Sequence, residues 1–544
     1  MAPKRAGSFS LKKALIRWLE DNRGIVIFLF CLPASFIFDL VLAFRLWLKN
    51  RFFSAPWQHD KRVQDIQSKV QLWNKLPPKE RKPLCTSRPN WLSLSVTFTK
   101  KAQCHQVPID LYDILELDEK NLTVRVEPFV SVHSITAYLI PKGYALAVTL
   151  EIGDATCGGL ALAVGMTTHS HKVGLYQESV VSYDVVLGDG SLVHVTADNE
   201  YCDLFYCLPW SHGTLGFLVA VELKIIKVKP YVHMRYVPVK GRDAYCNMIR
   251  ELSGANDRTK QTADYLEATV YSKDRAVIMI GNFADVKTDA DRKKINPVSR
   301  WYKPWWFKYV ETFLHKGEGD EFIPLEDYLL RHNRAIFWVL ESMIPFANNV
   351  VFRWLFGWLC PPKPAFLKFT TTPAIRAMTF TKQVFQDIVL PMTVLEDSIE
   401  TSELLFDTYP ILIYPCRIYD HGPKKMGQLR PPRLDQFTPG TNYGMFYDLG
   451  VYGTPGPVKR RQKYDAVKAM RAMEKFTRDA GGYPFLYADI FMNRQEFEEM
   501  FDLTAYECVR KKYKAVGCFP HLYDKVRPEI DVFTIGKQYA EEFE

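Results

Sequence analysis

A chain of 544 residues, 47% apolar and 24% charged, is long enough for two or more domains and is neither a disordered tail nor a small disulfide scaffold. Its net charge of +9, from 70 basic and 61 acidic side chains spread along the chain, carries no nucleic-acid footprint and suits an anionic membrane surface or a phosphorylated cofactor. Eleven cysteines without a CxxC pair match no common metal spacing and point to a reducing compartment, so no metal site is expected.

Residues 1–23 form a basic segment. Then Gly24 to Phe44 (GIVIFLFCLPASFIFDLVLAF) holds one charge, Asp39, and one proline, Pro33. At ~1.5 Å per residue this stretch just spans a hydrocarbon core. Pro33 predicts a kink or a re-entrant turn. No small-residue cleavage site follows, which argues for a retained anchor over a signal peptide, and basic flanks on both sides leave its orientation open. Residues 57–76 carry Val63, Ile66, Val70 and Trp73 on one face, an amphipathic helix stopped by Pro77-Pro78 that lies on the membrane or on the domain.

From Cys85 to Lys229 the pattern is strands and turns. Ser131 to Leu139 reads as a short helix. Val180 to Leu187 and Leu192 to Val195 flank Asp189-Gly190 as a hairpin, and FLVAVELKII after Gly216 alternates like a strand. Between them lies the stretch that organises the chain, Glu151 to Gln177, with five of the 29 glycines and no charge from Ala155 to Ser170. Such backbone can approach a flat or phosphorylated ligand closely, or it can be a glycine-rich turn in a buried sheet. A second glycine turn, Trp210 to Gly216, follows.

Asp264 to Ile280 reads as two strands around a turn, and Pro415 to Gly444 as a long loop. Six of the twelve tryptophans lie between Trp301 and Trp358, which fits a membrane interface, a large apolar ligand or ordinary core packing. Tyr464, Val467, Met470, Met473 and Phe476 form the inner stripe of a helix ending at Gly481-Gly482. No GxGxxG follows a strand, so no separate Rossmann domain is expected.

Blocks in order along nearly the whole chain carry a resemblance: VRVEPFV (124–130), TCGGLALAVGMTTHSHKVGL (156–175), DLFYCLPWSHGTLGFLVAVELKII (203–226), YKPWWFK (302–308), FRWLFGW (352–358), VFQDIVLPM (384–392) and YADIFMNRQEFEEMFD (487–502). The chain resembles the Δ24-sterol reductases, the Diminuto/Dwarf and seladin group of the PCMH-type FAD-binding, vanillyl-alcohol-oxidase-like superfamily. The resemblance implies an α+β fold: a two-subdomain FAD-binding domain at 51–227, an α+β cap or substrate domain at 228–480, and a C-terminal segment, 481–544, packing back on the first, all behind the membrane helix at 24–44. It implies non-covalent FAD held by Thr156, Cys157, Gly158, Gly159, Leu160, Ala161, Leu162, Ala163, Val164, Gly165, Met166, Thr167 and Thr168, with Gly213, Thr214 and Gly216 as a second strip. It also implies NADPH as reductant, a sterol substrate, and anchorage in the endoplasmic reticulum membrane by a single pass with the catalytic domain in the cytosol. Where the family reads two acids in a row, Gly153 replaces one, and a family Tyr-Tyr-His-Arg-His block stands here as Tyr328-Leu-Leu-Arg-His332.

For an isolated side-chain alkene, hydride addition needs a proton at C24 so that positive charge at C25 can accept hydride. His332, Tyr487 and Asp489 are the candidate acids. His169 and His171 could meet the flavin ring, and Lys172 or the Lys424–Arg433 loop could meet the phosphates of NADPH. The expected activity is reduction of the sterol Δ24 bond. Alternatives are a Δ24(28) isomerase and reductase of plant type, an oxygen-using flavin oxidase, or a flavin- or sterol-binding relative that has lost turnover.

Overall fold

The computed structural model describes residues 22–98 and 100–541, so nearly all of the basic N-terminal segment lies outside it. Two antiparallel sheets carry the fold. A short parallel pair, β1 (Leu84–Thr86) and β2 (His105–Val107), precedes them. The first sheet contains β3 (Ile114–Asp118), β4 (Thr123–Val126), β5 (Tyr144–Leu146), β6 (Val180–Val186), β7 (Leu192–Thr196) and β8 (Phe217–Lys227). Its order is β3-β4-β8-β6-β7, with β5 also paired to β8. The β6–β7 hairpin turns at Gly190, whose φ of 85° is open to glycine at no steric cost.

The second sheet has eight strands: β9 (Tyr231–Lys240), β10 (Tyr265–Ser272), β11 (Arg275–Ala284), β12 (Gly319–Pro324), β13 (Val384–Pro391), β14 (Ile411–Tyr419), β15 (Tyr443–Gly453) and β16 (Tyr483–Pro484), in the order β12-β9-β11-β10-β14-β15-β13-β16. Segment 415–444, expected as a loop, gives its two ends to β14 and β15, because their apolar alternation outweighs the prolines and glycines between them.

The register of the central strands decides what this sheet presents. Val389 and Tyr414 both stand opposite Asp448, Asp387 and Leu412 opposite Gly450, and Phe385 opposite Tyr452. Paired residues share a face and the period along a strand is two. One face therefore carries Asp387, Val389, Leu412, Tyr414, Asp448 and Tyr452, and these apolar and aromatic members pack with Leu160, Val164 and Leu215 of the N-terminal half. The opposite face, Ile388, Leu390, Ile411, Ile413, Leu449 and Val451, packs under the helices Arg242–Ser253, Leu395–Phe406 and Ala466–Ala480. The last helix ends at Gly481, in the left-handed conformation with φ 78°.

The helix His59–Asn74 buries Val63, Ile66, Val70 and Trp73 and lies on the first sheet's domain, where Gln67 and Asn74 donate to the carbonyls of Gly190 and Gly188 at 3.0 and 2.8 Å. Ahead of it a continuous apolar helix runs from Arg23 to Phe52, with one π-helical stretch at Ile27–Cys31. Its Arg23–Lys49 portion is long and apolar enough to cross a membrane. The helix continues through Pro33 and does not reverse there. Pro33 sits at the second position after the π-stretch, where a helix tolerates a missing N–H.

The C-terminal helices return to the first half. The Tyr506 and Thr214 hydroxyls share a hydrogen bond of 2.7 Å, Arg510 donates to the Thr214 carbonyl at 3.2 Å, and Lys512 pairs with Asp203 at 2.7 Å.

Candidate active site

Part of the glycine stretch is a helix, where sequence patterning left open a ligand-approaching backbone or a glycine-rich turn. Cys157–Ala163 is α-helical, capped by the Thr156 hydroxyl, which accepts from the Gly159 N–H at 3.3 Å. Small side chains let it sit close to its neighbours: a Cβ on Gly158 would fall 2.4 Å from Pro128 Cβ. Its other side is open. Gly159 is exposed and Thr156, Leu162 and Ala163 are half-buried, one face at helical spacing. Across from it runs the second strip. The His212 N–H donates to the Leu162 carbonyl at 3.0 Å, and a Cβ on Gly213 would meet nothing closer than Leu162 Cδ1 at 3.8 Å.

Strain gathers at this junction. Val164 has φ 64° and ψ 164°, a region almost reserved for glycine, and Trp210 and His212 have φ of 65° and 52°. Among the described residues, the buried Ser211 hydroxyl and His212 Nε2 have no hydrogen-bond partner. Burial pushes the His212 imidazole down to about 3, so it is neutral.

Beyond this lane the stretch meets the second sheet. The Leu266 N–H of β10 donates to the Thr168 carbonyl at 2.9 Å, and the Thr168 and Tyr328 hydroxyls share a bond of 3.0 Å. The Thr167 hydroxyl donates to Glu151 at 2.9 Å. A buried ionic cluster forms around Arg331. Its Nη2 lies 2.9 Å from Glu267, 3.6 Å from Glu151 and 3.0 Å from the Tyr414 hydroxyl, and its Nη1 donates to the Tyr328 carbonyl at 2.9 Å. The side chains of Arg331 and Glu267 are each 1% exposed. Burial raises the Glu151 carboxyl to about 7 in spite of Arg331. His332 Nε2 lies 3.1 Å from the Tyr414 hydroxyl while its ring stacks on Phe337 at 4.3 Å, and its Nδ1 has no partner among the described residues. Burial, then the charge of Arg331, holds His332 well below its usual range and so neutral. Ile336 and Phe337 pay for that stacking with φ of 47° and 57°.

Next along the same sheet face is a pair of aspartates. Asp387 accepts from the Tyr487 hydroxyl at 2.8 Å and from the Tyr452 hydroxyl at a short contact. Burial lifts Asp387 to about 7, and burial together with the nearby Asp387 and Glu151 charges lifts Asp448 well above the ordinary carboxylate range. Asp448 Oδ1 has no partner among the described residues. The two carboxyls stand two residues out of register on neighbouring strands of one sheet face, and burial favours the protonated form of each.

His332 and Tyr487 thus stand on this face. Asp489 does not: Arg376 grips both its oxygens at 2.6 and 2.7 Å and also pairs with Glu529. His169 and His171 are committed too, to the carbonyls of Asp264 at 2.5 Å and Ala263 at 2.9 Å, and Lys172 pairs with Asp264 at 2.8 Å. These three fasten the glycine stretch to β10. The Gly153 N–H donates to Asn333 at 2.9 Å, which joins that stretch to the Arg331–His332 segment. Glu267, Arg331, Tyr414, Asp387 and Asp448 escaped sequence reasoning. The signal was a lone aspartate amid apolar neighbours in VFQDIVLP and again in MFYDLGV, a charge where a core strand has no use for one.

Residues 94–196 match the FAD binding domain family, and that match contains the whole glycine stretch. The Delta(24)-sterol reductase of Homo sapiens is 41% identical over 510 residues, covering 93% of this chain and 94% of its own. Those of Pisum sativum and Arabidopsis thaliana are 36% and 34% identical, covering 97% and 94% of this chain and 94% and 93% of their own. The chain belongs to the Delta(24)-sterol reductase family. Membership gives the open lane a purpose. A family with an FAD binding domain needs a strip where side chains stand aside. Here Gly159 is exposed, and a Cβ on Gly213 would meet nothing closer than 3.8 Å. The residues present fit the cofactor that this reductase family's domain is named for.

Proposed function

We propose that this chain saturates the Δ24 double bond of a sterol side chain, with FAD as its cofactor and NADPH as the reductant, at the endoplasmic reticulum membrane. The observation that carries this reading is the buried Asp387–Asp448 pair on the sheet face turned toward the glycine stretch. An unactivated alkene accepts hydride only if a proton is delivered to it, and this is a store of protons in a place water does not reach.

In this reading residues 51–227 bind FAD, 228–480 cap the sterol, and 481–544 brace the first unit from behind. The helix Cys157–Ala163, the segment Val164–Thr168 and the turn at Gly213, Thr214 and Gly216 hold the cofactor, which when bound supplies the hydride. Asp448 and Asp387 hold the proton destined for C24. The Tyr487 and Tyr452 hydroxyls orient the Asp387 carboxyl and stabilise it when it ionises. The loss of that proton is offset by positive charge growing at C25, which the faces of Tyr414 and Phe337 stabilise. His332, neutral and bonded to Tyr414, positions that phenol. Arg331 pairs with Glu267 and lies within reach of Glu151, which keeps a cation beside the acids nearest the glycine stretch. Each turnover adds one proton and one hydride, and NADPH leaves as NADP⁺. NADPH docks without a domain of its own. The Lys424–Arg433 loop closes a cleft of about 210 Å³ beside Trp210 and Gln177, next to the second strip, and Lys425 and His421 lie on its wall.

The test is the visible spectrum of the purified protein. Flavin absorbance should bleach under NADPH without oxygen and return on adding a Δ24-sterol, with a product two mass units heavier. Rapid recovery in air without sterol would make the protein an oxidase. Flavin colour with no saturated product would make it a binding protein.

A further inference from the structure

The apolar helix Arg23–Phe52 does not stand away from the body as a membrane-crossing rod does. One face of its first half, from Gly24 to Asp39, is docked on the body. Near its start, Phe28 packs edge-on against Phe352 and Phe356 at 5.1 and 5.0 Å, and a Cβ on Gly24 would lie 3.1 Å from Phe346. At its middle, Leu32 and Ser35 are 0% and 2% exposed, and the Ser35 hydroxyl accepts from the Lys363 N–H at 2.7 Å. One turn later Asp39 pairs with the Lys363 ammonium at 3.1 Å, and the same ammonium reaches Asp154, beside the glycine stretch, at 3.2 Å. Phe36 meets Trp358 at 5.1 Å and Phe38 meets Phe366 at 5.4 Å. Near its end Lys49 pairs with Asp110 at 3.2 Å.

A helix that crosses a bilayer must have hydrocarbon around its central turns. Here the central turns are occupied by an Asp–Lys–Asp ion triad and by the body of the protein. Crossing would either carry that triad and the glycine stretch to the bilayer midplane or strip the helix from its seat.

The face turned away from the body is the one that is apolar and uncovered. Ile25, Leu29, Ile37, Leu40, Val41 and Phe44 recur at helical spacing and are each 47–62% exposed. The helix Val350–Phe356 continues this surface, with Val351, Trp354 and Leu355 57–61% exposed and Trp358 just beyond at 50%. The tryptophan-rich stretch therefore divides. Trp305, Trp306 and Trp338 are buried, while Trp301, Trp354 and Trp358 are exposed. Exposed bases sit at the two ends of the apolar helix, Arg23 at one and Arg45 and Arg51 at the other. An apolar stripe with tryptophans beside it and cations at its ends matches one leaflet of an anionic bilayer.

We infer that Arg23–Phe52 lies in the plane of the membrane, and that with Val350–Trp358 it forms a single seat dipping into one leaflet, so that the chain is monotopic. The inference rests on the membrane-bound reading above and changes its geometry. Both ends of the helix then lie on one side of the bilayer. The inner edge of the seat, at Lys363 and Asp154, adjoins the glycine stretch.

The decisive experiment uses the full chain in sealed microsomes, with one epitope before residue 23 and another after residue 541. Digestion of both epitopes by protease added outside is expected. Protection of the first with loss of the second would overturn the inference and leave membrane binding intact. Recovery of the chain in the soluble fraction would defeat the membrane-bound reading itself. A second measurement is flotation of the full chain with 4:1 phosphatidylcholine–phosphatidylserine vesicles. The triple variant V351E/W354E/L355E, with flavin absorbance as the check on folding, should bind at least tenfold more weakly. Unchanged flotation would mean that the long helix anchors alone and would overturn the shared seat.

Discussion

The Tyr487 hydroxyl donates to Asp387 Oδ2 at 2.8 Å, across 100 residues of chain and from outside the strand that carries the aspartate. Tyr452, on the neighbouring strand, reaches the other oxygen. A carboxyl held from both sides by phenols keeps one orientation, and a single orientation is what a proton donor needs.

Replacing that donor should remove turnover and leave the cofactor. D387N and Y487F are expected to retain bound flavin and its reduction by NADPH while sterol saturation falls, about 10²–10⁴-fold for D387N and less for Y487F. D489N, whose parent carboxylate serves Arg376, should lower stability before it lowers the chemical step. Single-turnover rates with pre-reduced protein separate the three.

The pH dependence follows from the raised aspartate. The donor must carry its proton, so the sterol-saturating step should decline above about pH 7, where Asp387 ionises. Stability has a sign of its own. Between the ordinary carboxylate value and about 7 the folded chain holds a proton on Asp387 that the unfolded chain has released, so this group favours the folded state less as pH rises through that window. D387N abolishes the loss. The difference in melting temperature between D387N and the parent should move in the variant's favour from pH 4 to 7 and level off above, as scanning fluorimetry across buffers would register.

Among the described residues, Arg331 is the cation that pairs with the buried carboxylates Glu151 and Glu267. R331M removes the charge and leaves both acids buried. A loss of about 3–5 kcal/mol is expected in denaturant unfolding, since breaking a buried pair exposes the desolvation cost of the survivor. A partial rescue by E267Q in the same chain would tie the loss to that pair.

At Gly158 a methyl group has no room, with Pro128 Cβ 2.4 Å and its Cα 2.7 Å away. G158A should push the helix Cys157–Ala163 off its seat and lower flavin content in the purified protein. G213A meets open space, but at φ 74° it is strained, and its methyl would point toward Leu162 across the lane. It should weaken flavin binding with less effect on folding, so flavin-to-protein absorbance ratios read beside melting curves will distinguish the two.

Local patterns in the chain were enough to foresee much of the framework. The stripe Val63, Ile66, Val70 and Trp73, the Asp189-Gly190 hairpin and the helix ended by Gly481 each rest on spacing within one element, where side-chain period and backbone geometry decide the outcome. The helix at Cys157–Ala163 was hidden because two adjacent glycines lower helix propensity, and the Thr156 cap and close packing on Pro128 outweigh that cost. The acid pair was hidden for another reason. Asp387 and Asp448 lie 61 residues apart and share a sheet face only through the β13–β15 register, which no local pattern records. His332 drew notice as a histidine near arginines, yet burial first, and the charge of Arg331 second, keep it neutral.

The Leu266 N–H to Thr168 carbonyl bond, flanked by His169, His171 and Lys172, stitches the two halves directly at the glycine stretch. Such a seam leaves no hinge there. Gaping of the halves like a clamshell would tear several buried polar contacts at once, so guests must arrive sideways through the rim, and mobility in this enzyme should concentrate in surface loops while the two sheets tumble as one block.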